Sequence, residues 1–214
     1  MRSRWLGPLL AAVALALSLW AYPHLPERVA THWNVRGQPN GYSSRTVAVL
    51  MAPLLMLAVS LLFRVLPRLD PRGANYAKFI GTYWLLANTV VVFLLGVHAL
   101  LLAQGVGLPV RMTTLLFPGT GLLLVCIGNY LSRVEPNWFV GIRTPWTLSS
   151  DTVWRQTHRT AGWVFVLGGL VVAVAALVSP VAAAPLVGIA LATTVAVPIV
   201  QSYVLWKREQ HDRH

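Results

Sequence analysis

Charged residues are scarce in this sequence, and acidic residues are the scarcest of them. Only 11% of the 214 residues are charged, 56% are hydrophobic, and the mean hydropathy is +0.63. A typical soluble domain is about 25% charged, so this composition argues against a soluble globular protein. It also excludes a disordered chain, which needs low hydrophobicity and high net charge. The single cysteine, Cys126, excludes an internal disulfide framework and any zinc site built from several cysteines.

Familiar catalytic motifs are also missing, since the sequence has no HExxH, no GxSxG and no P-loop. All six acidic residues lie outside the long apolar runs, which argues against an ion-coupled pump or an intramembrane aspartyl protease. We therefore predict a protein that is not an enzyme and that has no cofactor and no metal ion. A membrane enzyme with His32 or His158 as general base is a weaker alternative, because neither has a nucleophile or an orienting carboxylate at fixed spacing.

Six apolar stretches are long enough, or nearly so, to cross a membrane, which takes about 20 residues as a helix. They cover residues 5–22, 47–66, 79–103, 112–131, 161–179 and 181–206. Backbone groups cannot stay unpaired in lipid, so the predicted fold class is all-α, a polytopic membrane bundle of six transmembrane helices. The first stretch follows a basic start, as in a signal peptide. Its bulky residues 19–22 favour a retained anchor instead.

Basic residues are distributed unevenly over the two predicted faces. With a cytoplasmic N-terminus, 13 of the 17 Lys and Arg residues lie inside, among them Arg213. The four outside are Arg28, Arg36, Arg45 and Arg111. This positive-inside bias predicts that both termini are cytoplasmic. It also explains the net charge of +11 without a nucleic-acid partner.

The predicted outer loop, residues 23–46, has the pattern of an ordered surface. Residues 29–33 alternate as a short strand does, and residues 34–37 and 39–41 each look like a turn. A metal site at His24 and His32 is disfavoured because no dense ligand spacing such as HxxxH accompanies them. The residues predicted to recognise a partner or ligand here are His32, Trp33, Asn34, Gly37, Pro39 and Tyr42.

The predicted inner loop, residues 132–160, is the most distinctive stretch. Ser149 or Ser150 is a good helix N-cap with Asp151 behind it, so a short helix is expected to run into the fifth span. Two readings are open: an interfacial helix at the headgroups, with tryptophans 138, 146 and 154 at the membrane interface, or an anion or partner site. The candidate binding residues are Asn137, Gly141, Arg143, Thr144, Pro145, Trp146, Trp154, His158 and Arg159.

Polar residues inside the spans are expected to bond between helices. They are Asn88, His98, Asn129 and Gln201. We expect His98 to lie about one turn from the outer surface, within reach of water. Small residues at 184, 188, 192 and 196 form a stripe suited to close helix approach, and Gly169 and Ala173 do the same on the fifth span.

Two motifs carry a family resemblance. The inner stretch Asn137-xxx-Gly-Ile-Arg-Thr-Pro-Trp-Thr-Leu148, followed by Val153-Trp-xx-Thr-His-Arg-xx-Gly162, closely resembles the signature of the SdpI family of bacterial membrane proteins. The outer stretch Thr31-His-Trp-Asn-xx-Gly-x-Pro-x-Gly-Tyr42 resembles the N-terminal module of unknown function often fused to it. Together the two resemblances span nearly the whole chain.

The resemblance implies a non-enzymatic protein of the bacterial plasma membrane. The namesake of the family is an immunity protein against a secreted antimicrobial peptide and a receptor that sequesters a repressor. The expected partners are therefore the lipid bilayer, a secreted antimicrobial peptide outside and a soluble repressor inside. The expected domains are an N-terminal module, 1–104, and an SdpI-like module, 105–214. The alternative function is a transporter of a small solute or lipid headgroup.

Overall fold

A computed structural model describes residues 2–34 and 36–212, so Arg213 lies outside the described residues. Its helices are α1 (Leu6–Ala21), α2 (Arg45–Leu69), α3 (Tyr76–Gly105), α4 (Met112–Leu131), α5 (Pro145–Ser149), α6 (Asp151–Val178) and α7 (Pro180–His211). A hairpin of β1 (Arg28–Trp33) and β2 (Pro39–Ser44) joins α1 to α2. Within the described residues, six helices are long and apolar enough to cross a membrane. The predicted all-α membrane bundle is confirmed.

The helix boundaries follow local sequence signals. Helix α4 has the predicted limits, and α6 begins where the N-cap was expected, since the Val153 amide donates to Ser150 Oγ at 3.2 Å. The predicted short helix and the fifth span are one continuous helix. Ser179 is extended and α7 starts at the next residue, a proline, which suits the first helical position.

Helices α4 and α6 pack so closely that their backbones are in contact. A Cβ added to Gly121 would lie 2.5 Å from the Gly169 carbonyl oxygen, and one added to Gly128 would lie 2.7 Å from that of Gly162. The predicted close approach at Gly169 and Ala173 is confirmed, because the Gly121 position also meets Ala173. Small residues allow such contacts between membrane helices.

The small-residue stripe on α7 does not pack within the described chain. Gly188, Ala192 and Ala196 are exposed, and nothing lies within 4 Å of the Cβ position of Gly188. The stripe was expected to suit a close helix contact within one chain or between two chains, and at Gly188 no such contact forms within the described residues. Helix α7 instead buries Thr194 and Ser202 on another face.

The hairpin sits on one end of the bundle, which we call the hairpin end. Val29 and Leu25 are buried there with Leu101 and Met112, so β1 is fixed to α3 and α4 by an apolar cluster. The opposite end, called the loop end, has its own cluster around Tyr76, Tyr83 and Trp154. The loop between α4 and α6, residues 132–150, lies at that end and is called the signature loop.

The turn predicted at residues 39–41 is wrong, since these residues open strand β2. The chain has already reversed at residues 34–37, where Gly37 adopts φ +75° and its amide donates to the Asn34 carbonyl oxygen at 2.9 Å. Gly41 serves close packing instead, because a Cβ there would lie 2.9 Å from the Cβ of His32.

Candidate functional site

Asn137 organises the signature loop from its centre. Its side chain is completely buried, and its Oδ1 accepts from the amides of Phe139 at 2.9 Å and Val140 at 2.6 Å. Its Nδ2 donates to the carbonyl oxygens of Glu135 and Val140, both at 2.9 Å. An amide supplies two donors and two acceptor lone pairs, and all of these are used here.

Asp70, at the end of α2, ties the signature loop to the first half of the chain. Its side chain is only 7% exposed. Oδ2 accepts from the Tyr76 hydroxyl at 2.8 Å and from the Trp138 amide at 2.9 Å, while Oδ1 accepts from the Arg72 amide at 2.7 Å. Hydrogen bonds to a charged group are stronger than those between neutral groups, so this carboxylate is a main connection between the signature loop and the α2–α3 segment.

Two neighbours of Asp70 make further bonds between the α2–α3 segment and the residues from 136 to 151. Arg72 donates to the Leu148 carbonyl oxygen at 3.0 Å and pairs with Asp151 at 3.2 Å. Asn75 donates to the Pro136 carbonyl oxygen at 2.8 Å. Sequence reasoning missed these residues because it counted Asp70 only as an acid outside the spans. The available signal was the polar cluster from Asp70 to Tyr76 directly after an apolar run.

His158 fixes the middle of the signature loop. Its Nε2 accepts from the Ile142 amide at 3.0 Å, and its Nδ1 contacts the Trp154 carbonyl oxygen at 2.9 Å. An amide can only donate, so the ring is neutral with its proton on Nδ1. Gly141 adopts φ +111°, and a Cβ there would collide with His158 Nε2. The histidine is therefore a structural acceptor.

Trp154 lies inside the fold. Its side chain is completely buried, its indole donates to the Val134 carbonyl oxygen at 2.7 Å, and its ring stacks on His158 at 4.1 Å. The reading in which this ring contacts the lipid headgroups is wrong, because the ring is fully buried beneath the signature loop. Trp138, in contrast, is 46% exposed.

Thr144 connects the signature loop to α7. It caps α5 in a capping box with Thr147, and its hydroxyl donates to Ser202 Oγ at 3.0 Å. Thr147 in turn donates to the Ile142 carbonyl oxygen at 2.8 Å. The loop is thus bonded to α3, α6 and α7.

The nine candidate residues of the signature loop and α6 divide by exposure. Buried and bonded within the chain are Asn137, Thr144, Trp154 and His158. Partly buried are Gly141 and Trp146, and exposed are Arg143, Pro145 and Arg159. A binding partner can therefore touch only the exposed residues, while the buried ones hold the loop in shape.

The hairpin is equally ordered at its turn. Asn34 Oδ1 accepts from the amides of Arg36 at 2.9 Å and Gln38 at 3.0 Å. The Cβ position of Gly37 lies 2.8 Å from Thr113 Oγ1, so the tip of the hairpin touches the start of α4. Trp33 donates its indole N–H to Gln104 Oε1 at 2.8 Å.

A cleft of about 210 Å³ opens between the hairpin and the last turn of α3. Its polar lining includes Arg28, Tyr42 and Gln104, and Pro39 borders it. Tyr42 is 51% exposed. Of the six predicted hairpin candidates, Pro39 and Tyr42 thus line a cleft. His32 does not line it, and its Nδ1 bonds to Asn40 Oδ1 at 2.6 Å.

The polar residues of the spans bond as follows. His98 is 1% exposed, so the expectation that water reaches it is wrong. Its Nε2 bonds to Ser18 Oγ at 2.8 Å, and Ser18 donates to the Val49 carbonyl oxygen at 2.7 Å, which links α3, α1 and α2. Gln201 bonds to Thr160 at 2.7 Å between α7 and α6. The expected interhelical role is confirmed for these two residues.

The other two polar candidates inside the spans, Asn88 and Asn129, have different surroundings. The Asn88 side chain donates to the carbonyl oxygen of Ser3, ahead of α1, at 2.8 Å. Asn129 is exposed on the flank of α4. Its side chain lines a cleft between α4 and α6.

Comparison with known proteins gives three findings. Residues 133–203 match the SdpI/YfhL protein family, and residues 9–57 match a domain of unknown function (DUF1648). The chain is 26% identical over 174 residues to the immunity protein SdpI of Bacillus subtilis (strain 168), covering 81% of each chain. No solved structure matches. The predicted resemblance to the SdpI family is confirmed, and with the six apolar helices it identifies a multi-pass protein of a bacterial membrane.

Proposed function

We propose that this multi-pass membrane protein, with its SdpI/YfhL match at 133–203 and its DUF1648 match at 9–57, protects a bacterial cell against a membrane-active peptide toxin. The supporting observation is the extent of the similarity to the Bacillus immunity protein, which runs over 174 residues and so includes helices from both halves of the bundle. A shared short motif would support only a shared local structure. The proposed role requires no catalysis.

In this proposal the hairpin end faces the outside of the cell. Of the basic residues, only Arg28, Arg36, Arg45 and Arg111 belong to that end, while the loop end has most of the others. The positive-inside rule then places both termini and the signature loop in the cytoplasm. A secreted toxin would meet the hairpin first.

The proposed toxin contact is the cleft beside the hairpin. It combines a cation, an exposed aromatic ring and an amide at Arg28, Tyr42 and Gln104. Aromatic and arginine side chains are the most frequent energetic anchors of protein interfaces. The hairpin itself is held rigidly by the buried Val29 and by the Trp33–Gln104 bond, so little order would be lost on binding.

A cytoplasmic regulator is the second part of the proposal. The loop end presents exposed Arg143 and Arg155 and the half-exposed Trp138, which suits an acidic partner. The two predicted domains, 1–104 and 105–214, are joined at this end by the bonds of Asp70, Arg72 and Asn75. Toxin binding at the hairpin could affect the loop end only if the helix bundle has two alternative conformations.

A survival assay tests the proposal. A sensitive bacterium expressing the chain is challenged with increasing doses of the toxin to which the Bacillus relative confers immunity. The secreted peptides encoded beside the gene of this chain are tested in parallel. We expect a higher lethal dose with the wild type, a loss of protection for Tyr42→Ala and Arg28→Ala, and full protection for the matched loop-end variant Arg68→Ala, which is also an exposed arginine.

Membrane insertion of each variant is measured by blotting of the membrane fraction. Equal protection by wild type and Tyr42→Ala at equal membrane levels would remove the cleft from the proposal. Failure of the inserted wild type to protect against any of these peptides would contradict the immunity function. Substrate-dependent flux in proteoliposomes would then favour the transporter alternative.

A further inference from the structure

A polar cleft opens on an exposed flank of the α4–α6 pair, near the loop end. Its volume is about 290 Å³, and its polar lining comes from Asn129 and Ser132 on the α4 side and Arg159 on α6. The cleft exists because Gly128 and Gly162 bring the helix backbones together and leave no side chain to fill the space beside them.

The three polar side chains are free to bind a ligand. Within the described residues, none of Asn129, Ser132 and Arg159 has a side-chain hydrogen bond or an ion pair, and all three are exposed. Each can donate hydrogen bonds, and the guanidinium carries a fixed positive charge. A set of donors around a cation is the chemistry that recognises a phosphate.

The depth of the cleft fits the boundary between headgroups and hydrocarbon. Helix α6 has 28 residues, and about 20 residues at ~1.5 Å each cross the hydrocarbon core. Counted back from the far end of α6 at Val178, twenty residues reach Arg159. Trp163, one turn deeper, is 64% exposed, and tryptophan is enriched at this level.

Apolar surface continues from the cleft toward the bilayer centre. Val166 lines its lower edge, and beyond it Leu167, Leu170 and Val174 on α6 are 59%, 46% and 59% exposed. Leu122 on α4 is 62% exposed. A ligand with a phosphate at one end and long apolar chains at the other matches this arrangement.

The charge balance of the chain favours the binding of an anion that is not part of the protein. The sequence has 17 basic and six acidic residues, and among the described residues no acidic side chain pairs with Arg159. Arg155 lies one turn before Arg159 on α6 and is also exposed, so the mouth of the cleft is strongly positive. Basic pockets between transmembrane helices are a known setting for anionic lipid headgroups.

From these observations we infer that the cleft between α4 and α6 binds one anionic phospholipid, with its phosphate on Arg159, Ser132 and Asn129 and its acyl chains along the exposed apolar side chains of both helices. The lipid supplies a counter-ion for Arg159, which pairs with no acidic side chain in the part of the chain that the structure describes. The inference does not depend on the immunity function.

Native mass spectrometry of the purified full-length protein tests this inference. Dioleoyl phosphatidylglycerol and dioleoyl phosphatidylcholine, which share their acyl chains, are titrated separately into the same detergent. We expect a 1:1 adduct with the anionic lipid at a several-fold lower concentration than with the zwitterionic one. Arg159→Gln should weaken that adduct about fivefold, which is the effect of one arginine near an anionic surface. Asn129→Ala should weaken it to a smaller extent.

The matched control is Arg68→Gln, which removes an exposed arginine at the same end of the bundle but on α2. It should leave the adduct unchanged. Equal binding of the two lipids, or unchanged binding by Arg159→Gln, would overturn the inference. Displacement of the anionic lipid by millimolar inorganic phosphate would also overturn it, since the site would then recognise a free anion. Circular dichroism on each variant confirms that the bundle is intact.

Discussion

Replacement of Asn137 by aspartate is the sharpest test of how the signature loop is held. The change keeps the shape of the side chain but replaces Nδ2, which donates to the carbonyl oxygens of Glu135 and Val140 at 2.9 Å, by an oxygen. Two buried carbonyl groups then face a carboxylate in a site with no solvent exposure. Each unsatisfied buried group costs about 1–3 kcal/mol, so we expect a loss of about 3 kcal/mol in the free energy of unfolding.

Thermal unfolding in detergent, followed by circular dichroism, measures this loss. For a chain of this size ~1 kcal/mol shifts the Tm by roughly 2–4 °C, so Asn137→Asp should unfold about 6–12 °C below the wild type. Trypsin should also cut the loosened loop faster at Arg143. The matched control is Gln156→Glu, an amide-to-acid change at an exposed position of α6. If both variants unfold at the wild-type temperature, the loop is not organised around Asn137.

Three further predictions use the same unfolding measurement. Gly141→Ala should lower the free energy of unfolding by about 2–3 kcal/mol, because it strains a residue at φ +111° and displaces His158. Gly96→Ala should leave the free energy of unfolding unchanged, since nothing lies within 4 Å of the Cβ position of Gly96. Gly128→Val should cost about 1–3 kcal/mol by forcing α4 and α6 apart, whereas Gly188→Val should have no effect. Asp151→Asn should cost less than ~1 kcal/mol, since its carboxylate is 58% exposed. A reversed order within either glycine pair, or a large effect at Asp151, would contradict these assignments.

The membrane architecture was predictable from the sequence because it follows from composition alone. Long apolar runs must become helices in lipid. The six predicted spans agree with the observed helices to within a few residues, except that α6 begins earlier and α7 ends later than predicted. The N-cap at Ser150 and the turn at residues 34–37 were predictable for a related reason. Both depend on local hydrogen bonds between near neighbours in the chain.

Features that depend on distant contacts were not predictable in this way. Nothing near Trp154 in the sequence shows that the signature loop folds over it, so an interfacial ring and a binding residue both stayed open as predictions for it. Asp70 lies 68 residues before Trp138, and only the folded chain shows that its carboxylate accepts from that amide. His98 is similar, because its burial follows from Ser18 on another helix.

The candidate site was therefore predicted in outline and corrected in detail. The motif pointed to the right segment, but it mixed residues that shape the loop, such as Asn137 and His158, with residues that a partner can touch, such as Arg143 and Arg159. A motif records which residue types a fold needs, and it does not separate buried bonds from exposed contacts. Burial provides that separation.

Membrane potential during toxin challenge tests the central claim most directly. Sensitive cells with and without the chain are loaded with a potential-sensitive dye and exposed to the toxin countered by the Bacillus relative and to the peptides encoded beside this gene. The immunity account predicts that one of these peptides collapses the potential of control cells within minutes while cells with the inserted protein keep theirs. An equal collapse in both cell populations for every peptide, with the protein present in the membrane, would contradict it.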